Sequence, residues 1–224
     1  MCEILDSDIP EEYQRGFAIF LGCRIDLSAR PLIPRPESEF WTSRAIGDLE
    51  KIKGNIRVLD IFSGSGCIGV AAAKSLPLAL VDFCDIDPKA VEQIKINIGI
   101  NAINAARVQI FLSDIFGGIP QDVRYDAILS NPPYIDPARC AEVQKSVLDY
   151  EPHIALFAGK GGLEIIEKFL NQAKNSLKDK GFIYMEYDPL QKKLVGDIIK
   201  SEKYSSSEFF KDQFGQWRFV KIFK

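Results

Sequence analysis

The chain has 224 residues, 46% hydrophobic and 26% charged, which is typical of a globular protein with one domain and a sizeable core. A formal net charge of −3 gives no bulk attraction for a phosphate backbone, which disfavours nucleic acid as a partner without excluding a local basic patch. No apolar run approaches the length of a membrane span and no signal pattern opens the chain, so we expect a cytoplasmic protein without a membrane partner.

Histidine and cysteine usage bears on metal and nucleophilic chemistry. The single histidine, His153, disfavours a histidine-based triad or a multi-histidine metal centre. The five cysteines are scattered and include no C-x-x-C pair, so we interpret them as reduced core thiols and expect neither a disulfide framework nor a metal.

The N-terminal part is predicted to be an extension or lid segment, residues 1–36, ahead of the main domain at 37–224. Loose alternation between Arg15 and Ile25 predicts a small hairpin or a lid against the domain. Prolines then make the stretch from Pro31 to Glu39 extended and stiff, with its glutamates in the first turn of a helix. On physical grounds alone, a proline linker before a helix is the simpler interpretation of this stretch.

Residues 56–74 predict a strand, a tight glycine turn and a helix. Gly64-x-Gly66-x-x-Gly69 fits the dinucleotide-binding fingerprint, with Asp85 nineteen residues beyond Gly66, so a NAD-linked oxidoreductase stays open. Asp60, where the strand enters the turn, argues against it, because a carboxylate would repel a pyrophosphate but attract an ammonium group.

The next strand, Ala79–Cys84, ends in Asp85, and a carboxylate there can accept hydrogen bonds from both hydroxyls of a ribose. Asp87 and Pro88 are predicted to be the N-cap and first residue of the following helix. Strands that alternate with helices in this way predict βαβ crossovers and a parallel sheet.

A third strand, Val108–Leu112, leads to Asp114. Asp114 could accept a hydrogen bond from an adenine amino group, and Ile115 or Phe116 could pack on the purine face. A capping or solvated aspartate is the alternative.

The apolar run Tyr125–Ser130 predicts a buried strand, and Asn131-Pro132-Pro133-Tyr134 follows it directly. The prolines fix the backbone, so the loop should be stiff and extended at the carboxyl end of the strand, where ligands bind in open α/β sheets. It can present the Asn131 side-chain carbonyl and a backbone carbonyl to a planar –NH2 group, with the Tyr134 ring against the face of that group. An ordinary proline turn is the alternative.

The rest of the chain predicts further regular elements. They are a polar helix with loops over 135–150, a helix opened by Gly161-Gly162, a strand at Gly181–Tyr187, a helix at 190–200 and a closing antiparallel hairpin formed by 207–210 and 217–223.

These motifs resemble a known family. Asn131–Tyr134 after a strand resembles the motif of amino-group methyltransferases that use S-adenosylmethionine. Pro31–Glu39 resembles the "IPRPE-T/S-E" stretch, and Glu151–Leu156 the "EP..AL" segment, of the PrmC/HemK glutamine-N5 methyltransferases. Phe62 replaces the first glycine of the commoner turn pattern, as in some amino methylases, and Gln191 matches a common family glutamine. The resemblance covers roughly residues 30–223.

The resemblance implies an α/β, Rossmann-like class I methyltransferase fold with a mostly parallel seven-stranded sheet and a C-terminal antiparallel hairpin. It implies S-adenosylmethionine as cofactor, S-adenosylhomocysteine as product, and methylation of a glutamine side-chain amide in the Gly-Gly-Gln loop of peptide chain release factors. The expected catalytic residues are Asn131, Pro132 and Tyr134. The expected cofactor-binding residues are Asp60, Phe62, Gly64, Gly66, Asp85, Ile86, Asp114, Ile115, Phe116 and Asn131. The expected substrate-binding residues are Arg35, Glu37, Asn131, Pro132, Pro133, Tyr134 and Glu151.

One departure concerns the substrate. Bacterial members of the family carry an N-terminal helical domain that helps to grip the release factor, whereas this sequence begins almost at the catalytic domain. We therefore expect simpler docking, a partner protein that replaces that domain, or a different substrate. A nucleic-acid amino methyltransferase and a non-catalytic cofactor-binding module stay open as alternatives.

Overall fold

The computed structural model describes residues 9–224, so residues 1–8 of the predicted extension lie outside the described residues. The strands of this part are β1 Phe17–Phe20, β2 Cys23–Asp26, β3 Arg57–Ile61, β4 Leu80–Asp85, β5 Val108–Leu112, β6 Tyr125–Ser130, β7 Leu177–Glu186, β8 Ser206–Lys211 and β9 Trp217–Phe223. The α-helices are α1 Glu11–Arg15, α2 Pro36–Leu49, α3 Cys67–Ser75, α4 Pro88–Ile100, α5 Lys145–Tyr150, α6 Glu164–Ser176 and α7 Lys192–Ser201.

The main sheet of the described chain has seven strands in the order β5-β4-β3-β6-β7-β9-β8. Strands β3 to β7 run parallel, and β9 pairs antiparallel with both β7 and β8. The predicted α/β fold, with its C-terminal antiparallel hairpin, is therefore confirmed. The parallel strands β3 and β6 are buried along nearly their whole length, because helices cover both faces of the sheet.

Two apolar clusters fill the space between the sheet and its helices. One cluster joins α2, α3 and α4 to one face, with Trp41 and Val70 fully buried in it. The other joins α6 and α7 to the opposite face, with Phe169 and Val195 fully buried. The core therefore lies on both sides of β3 and β6, and the carboxyl ends of the parallel strands meet at one edge of the sheet.

The predicted hairpin at 15–25 is confirmed, since β1 and β2 pair antiparallel. Two asparagine side chains hold the hairpin as a neighbouring strand would. Asn101, the C-cap of α4, exchanges hydrogen bonds with the backbone of Arg24, and Asn97 of α4 exchanges them with that of Asp26. Asn97 also donates to the Ser65 carbonyl at 2.8 Å, so the hairpin is tied to the glycine turn after β3.

The cysteines only partly match their interpretation as core thiols. Cys23, Cys67 and Cys84 are buried free thiols, whereas Cys140 is exposed, so the interpretation is wrong for Cys140. Cys2 lies outside the described residues. No helix within residues 9–224 combines the length and apolar character needed to cross a bilayer.

Candidate active site

A cleft runs along the carboxyl ends of the parallel strands, and we call it the strand-end cleft. Its walls are the turns that follow β3, β4, β5 and β6. The lining residues that matter here are Phe62, Gly64, Asp85, Ile86, Asp114, Ile115, Asn131 and Pro133. Most of the cofactor-binding residues expected from the sequence are therefore brought together.

The turn after β3 is shaped by left-handed backbone and close packing. Phe62 has a φ of 58°, and its ring packs edge-on against Phe169 with centroids 5.6 Å apart. Gly66, with a φ of 77°, is the N-cap of α3 and does not line the cleft. A Cβ on Gly69 would lie 2.3 Å from the Phe83 ring, so this glycine is needed for helix–strand packing. Gly66 therefore shapes the turn, and its contact with the ligand stays a prediction.

Asp60 lies near the end of β3, as the sequence analysis expected, but its side chain is fully buried. That side chain is not part of the cleft lining, so its contact with a ligand ammonium stays a prediction. One carboxylate oxygen accepts from the Gly69 N–H at 2.8 Å, and the other has no hydrogen-bond partner. Burial raises the pKa of Asp60 well above its ordinary value. The side chain is buried because Asp60 lies within β3, one residue before the backbone turns into the cleft.

Asp85 lies at the end of β4, as predicted, and lines the cleft. One of its carboxylate oxygens accepts from the Gly64 N–H at 2.8 Å and the other from the Asp87 N–H at 2.9 Å. These bonds hold the carboxylate at the rim, while burial raises its pKa. The next residue, Ile86, is 48% exposed, which leaves an apolar surface beside the carboxylate. Asp87 caps α4 through the Lys89 N–H, which confirms its predicted role.

Of the three cofactor-binding residues predicted in the turn after β5, two line the strand-end cleft and one does not. Asp114 lines the cleft and forms an ion pair with Lys168 at 2.7 Å, and Ile115 lines the cleft with its side chain 3% exposed. Phe116 does not line the cleft; its ring is partly buried against the second core cluster and stacks on that of Phe169, with centroids 5.9 Å apart. The expectation that Phe116 packs on a purine is not supported, because the φ of 52° at Ile115 turns the chain back toward α6.

The loop Asn131–Tyr134 separates the strand-end cleft from a second cavity, which we call the outer cavity. Asn131 borders both spaces, Pro133 lines the cleft, and Pro132 and Tyr134 line the outer cavity. The Asn131 Nδ2 atom donates to the Ser38 hydroxyl at 3.3 Å. A group bound in the outer cavity could therefore reach a group bound in the cleft beside this asparagine.

A buried carboxylate that sequence reasoning missed lies behind this loop. Glu186, at the end of β7, is 2% exposed and accepts from the Ser38 hydroxyl at 2.6 Å and the Trp41 indole at 2.7 Å. The Tyr134 hydroxyl donates to its other oxygen at 3.3 Å. Burial raises the pKa of Glu186 and also that of Tyr134. The available signal was a lone acidic residue at the carboxyl end of a strongly apolar strand.

The C-terminal end of the loop is held by Gln191 and Gly162. The Gln191 amide nitrogen donates to the carbonyls of Tyr134, Gly161 and Gly162 at 2.8, 3.0 and 3.1 Å. Gly162 has a φ of 68°, and a Cβ built on it would lie 2.1 Å from the Tyr134 carbonyl oxygen. The sequence indicated Gln191 only through the family resemblance, and nothing indicated that Gly162 touches the loop.

The Pro31–Glu39 stretch is fixed against the outer cavity by Glu151. This buried carboxylate forms an ion pair with Arg35 and accepts from the Ile33 N–H at 3.3 Å. Arg35 and Glu151 both line the outer cavity, as expected of substrate-binding residues. Glu37 lines neither the strand-end cleft nor the outer cavity, so the structure does not bring it to either space.

Comparison with known proteins shows which family carries this arrangement. A family model described as "Methyltransferase small domain" matches residues 46–149. The chain is 38% identical over 216 residues to a release factor glutamine methyltransferase of Streptococcus pneumoniae, which covers 95% of this chain and 74% of that protein. It is 35% identical over 216 residues to one of Rhodopirellula baltica, covering 93% of this chain and 72% of that protein. The chain belongs to the release factor glutamine methyltransferase family.

Solved structures of other methyltransferases share the fold of this family member. The METTL16 methyltransferase domain superposes with a TM-score of 0.66 at 14% identity, covering 91% of this chain and 89% of that one. A Thermus thermophilus 16S rRNA N2 G1207 methyltransferase superposes with a TM-score of 0.64 at 19% identity, covering 93% of this chain and 49% of that one. At these identities the likeness shows the fold alone.

The cofactor of this family is S-adenosylmethionine, and the strand-end cleft fits it chemically. Asp85 offers a carboxylate at the rim for a ribose diol, and the exposed Ile86 and the buried Ile115 offer apolar surface for a purine. The turn from Phe62 to Gly64 brings backbone close to the cleft for the amino-acid part. The family assignment favours none of the alternatives left open by the sequence, including the NAD-linked oxidoreductase.

Proposed function

We propose that this protein transfers a methyl group from S-adenosylmethionine to the side-chain amide nitrogen of a glutamine in the Gly-Gly-Gln loop of a peptide chain release factor. The family assignment supports the reaction and the class of substrate. The outer cavity would receive the glutamine and the strand-end cleft the methyl donor. A release factor works in translation, so the cytoplasm is the proposed location.

The observation that carries the proposal is the position of Asn131 on the wall between the two spaces. Its Nδ2 faces Ser38, which leaves the side-chain carbonyl oxygen as an acceptor. One amide hydrogen of the substrate would bond to this oxygen and the other to the Pro132 carbonyl. The Tyr134 ring would support the face of the amide group.

This arrangement addresses the main difficulty of the reaction. An amide nitrogen is a weak nucleophile because its lone pair is delocalised into the carbonyl. When bound, S-adenosylmethionine supplies an electrophilic methyl group on a positively charged sulfur. Two fixed carbonyl acceptors orient the substrate nitrogen and stabilise the positive charge that it gains as the new N–C bond forms. The bond from the methyl carbon to sulfur would break at the same time, leaving its electron pair on the sulfur of S-adenosylhomocysteine. The two acceptors act more strongly on the transition state than on the neutral amide, and the nitrogen then loses one proton to water.

The test is methylation of purified release factor with S-adenosylmethionine labelled in the methyl group. We expect label on intact release factor and none on a variant in which the loop glutamine is replaced by alanine. Equal labelling of the two, or labelling of nucleic acid with no labelling of release factor, would contradict the proposal.

The substitution Asn131→Ala tests the role of Asn131 as an acceptor for the substrate amide. The loss of one preorganised acceptor should cost about 3 kcal/mol in turnover, or on the order of 100-fold, with cofactor affinity retained. Full turnover in this variant would exclude the role given to Asn131. Leu78→Ala, at an exposed residue that lines neither space, is a comparison variant that leaves both carbonyl acceptors in place.

A further inference from the structure

Three side-chain donors, two from α2 and one from the Asn131–Tyr134 loop, converge on the buried Glu186. The Ser38 hydroxyl and the Trp41 indole N–H both come from α2 and donate to the same oxygen, at 2.6 and 2.7 Å. An indole N–H can only donate, so this oxygen of Glu186 is an acceptor. The other oxygen accepts from the Tyr134 hydroxyl at 3.3 Å.

The direction of the Ser38 hydroxyl hydrogen then determines the orientation of the Asn131 side-chain amide. A serine hydroxyl has one hydrogen, and that of Ser38 is directed at Glu186, so its oxygen offers only lone pairs to other groups. The Asn131 amide, at 3.3 Å, can therefore meet this oxygen favourably with its NH2 group and not with its carbonyl. Rotation of the amide by half a turn would place two acceptors against each other. Within residues 9–224, no protein donor bonds to the Asn131 carbonyl oxygen, which leaves that oxygen for a ligand.

We propose that Ser38 and Glu186 are positioning residues for methyl transfer: Glu186 orients the Ser38 hydroxyl, and Ser38 holds the Asn131 amide with its carbonyl oxygen toward the substrate. The inference rests on the proposed function, because it concerns the same site. It assigns a reason for the first turn of α2 to lie against the end of β7. Glu186 also contacts the other end of the Asn131–Tyr134 loop directly, since the Tyr134 hydroxyl donates to its second oxygen.

The same network could instead serve only to anchor α2 on the sheet, and substitutions distinguish that role from positioning. For positioning, we expect the following outcomes. Ser38→Ala removes the acceptor for Asn131 and should lower kcat about tenfold, the effect of roughly one hydrogen bond, with KM and cofactor affinity unchanged. Ser38→Thr keeps the hydroxyl and should restore kcat to within about threefold of the unmodified protein. Trp41→Phe is the matched control, because Trp41 donates to the same oxygen of Glu186 but does not contact Asn131. It should reduce kcat less than Ser38→Ala does, although it should reduce the melting temperature at least as much.

A double-mutant cycle separates the two roles. If Ser38 acts through Asn131, adding Ser38→Ala to Asn131→Ala should change kcat by less than about twofold, because the group it positions is already gone. Independent, multiplying losses would overturn the inference. So would a Ser38→Ala variant whose kcat falls no further than that of Trp41→Phe.

A second measurement does not depend on turnover. In 15N-labelled protein, the side-chain NH2 signal assigned to Asn131, identified by its loss in Asn131→Ala, should exchange with water more slowly than in Ser38→Ala. Equal exchange in the two proteins would refute the positioning of the amide even if the enzyme is active. The converse result is that the unmodified protein shows slow exchange of the Asn131 NH2 hydrogens and yet does not methylate release factor. That result would refute the proposed function and leave the positioning of the amide intact.

Discussion

Replacement of Gly162 by alanine should displace the loop that carries Asn131 and Tyr134. Gly162 has a φ of 68°, and an added Cβ would lie 2.1 Å from the Tyr134 carbonyl oxygen and 2.6 Å from the Gln191 amide nitrogen. The backbone oxygen cannot move without the loop. The neighbouring Gly161 is a matched control, because it has nearly the same φ, 69°, and nothing within 4 Å of its Cβ position.

The two variants share the backbone strain and differ only in the collision. An alanine in left-handed backbone costs about 1–2 kcal/mol, so Gly161→Ala should lose about that much unfolding free energy. Overpacking of a closed site adds about 1–3 kcal/mol, so Gly162→Ala should lose about 2–5 kcal/mol in all. A displacement of the loop by about 1 Å can also cost on the order of 100-fold in turnover, because the substrate amide is no longer aligned.

Urea unfolding measures the first effect, and methylation of release factor under saturating cofactor measures the second. We expect Gly161→Ala to keep its kcat within about threefold, since the strain does not move the loop. If Gly162→Ala matches Gly161→Ala in both stability and kcat, the contact with the Tyr134 carbonyl does not position the loop and the reasoning is wrong.

Three further predictions concern buried or half-buried carboxylates. Asp85→Ala should weaken cofactor binding at least about tenfold, measured by calorimetry, and an unchanged affinity would show that another group binds the ribose. Burial raises the pKa of Asp60, so the folded state holds that proton more tightly than the unfolded state, and this residue's contribution should reduce stability as pH rises above about 4. Asp60→Asn should therefore lose less unfolding free energy than the unmodified protein between pH 4 and pH 8, and parallel curves in urea would contradict this. Arg35→Ala leaves the Glu151 carboxylate buried without its ion-pair partner and should destabilise the fold by about 1–3 kcal/mol, less than a fully buried pair because Arg35 is a third exposed; thermal melts that overlay would exclude a structural contribution of this pair.

Local rules were sufficient for much of the fold. Apolar runs and glycine turns located the parallel strands, and the cap formed by Asp87 followed from a short carboxylate placed directly before a proline. The prolines after Asn131 restricted the backbone by sterics within the chain itself, which is why the loop could be placed at the end of β6. Asp85 lay as expected because the carboxyl end of a parallel strand faces the cleft wherever the strand sits in the sheet.

The directions of the side chains in the turns, by contrast, depended on tertiary packing and could not be predicted from local sequence. Asp60 and Phe116 both lie next to the cleft in sequence, yet Asp60 is fully buried and Phe116 packs, partly buried, against the second core cluster. A turn with positive φ, as at Phe62 and Ile115, reverses which side chain points outward. The packing partners are remote in sequence: the Phe62 ring packs against Phe169 of α6, and Phe116, the residue after Ile115, stacks on the same ring.

The sequence by itself determined the class of fold, the stiff Asn-Pro-Pro-Tyr loop and the carboxylate at the end of β4, because each depends on residues within a few positions of one another. Only the tertiary structure decided how the Asn131 amide is oriented, since that orientation needs Ser38, Asn131 and Glu186 together, and these residues are brought into contact from α2, the loop after β6, and β7. The direction of a hydrogen bond depends on which acceptor each donor hydrogen bonds to. The acceptor can be identified only when the positions of all the partners in the fold are known.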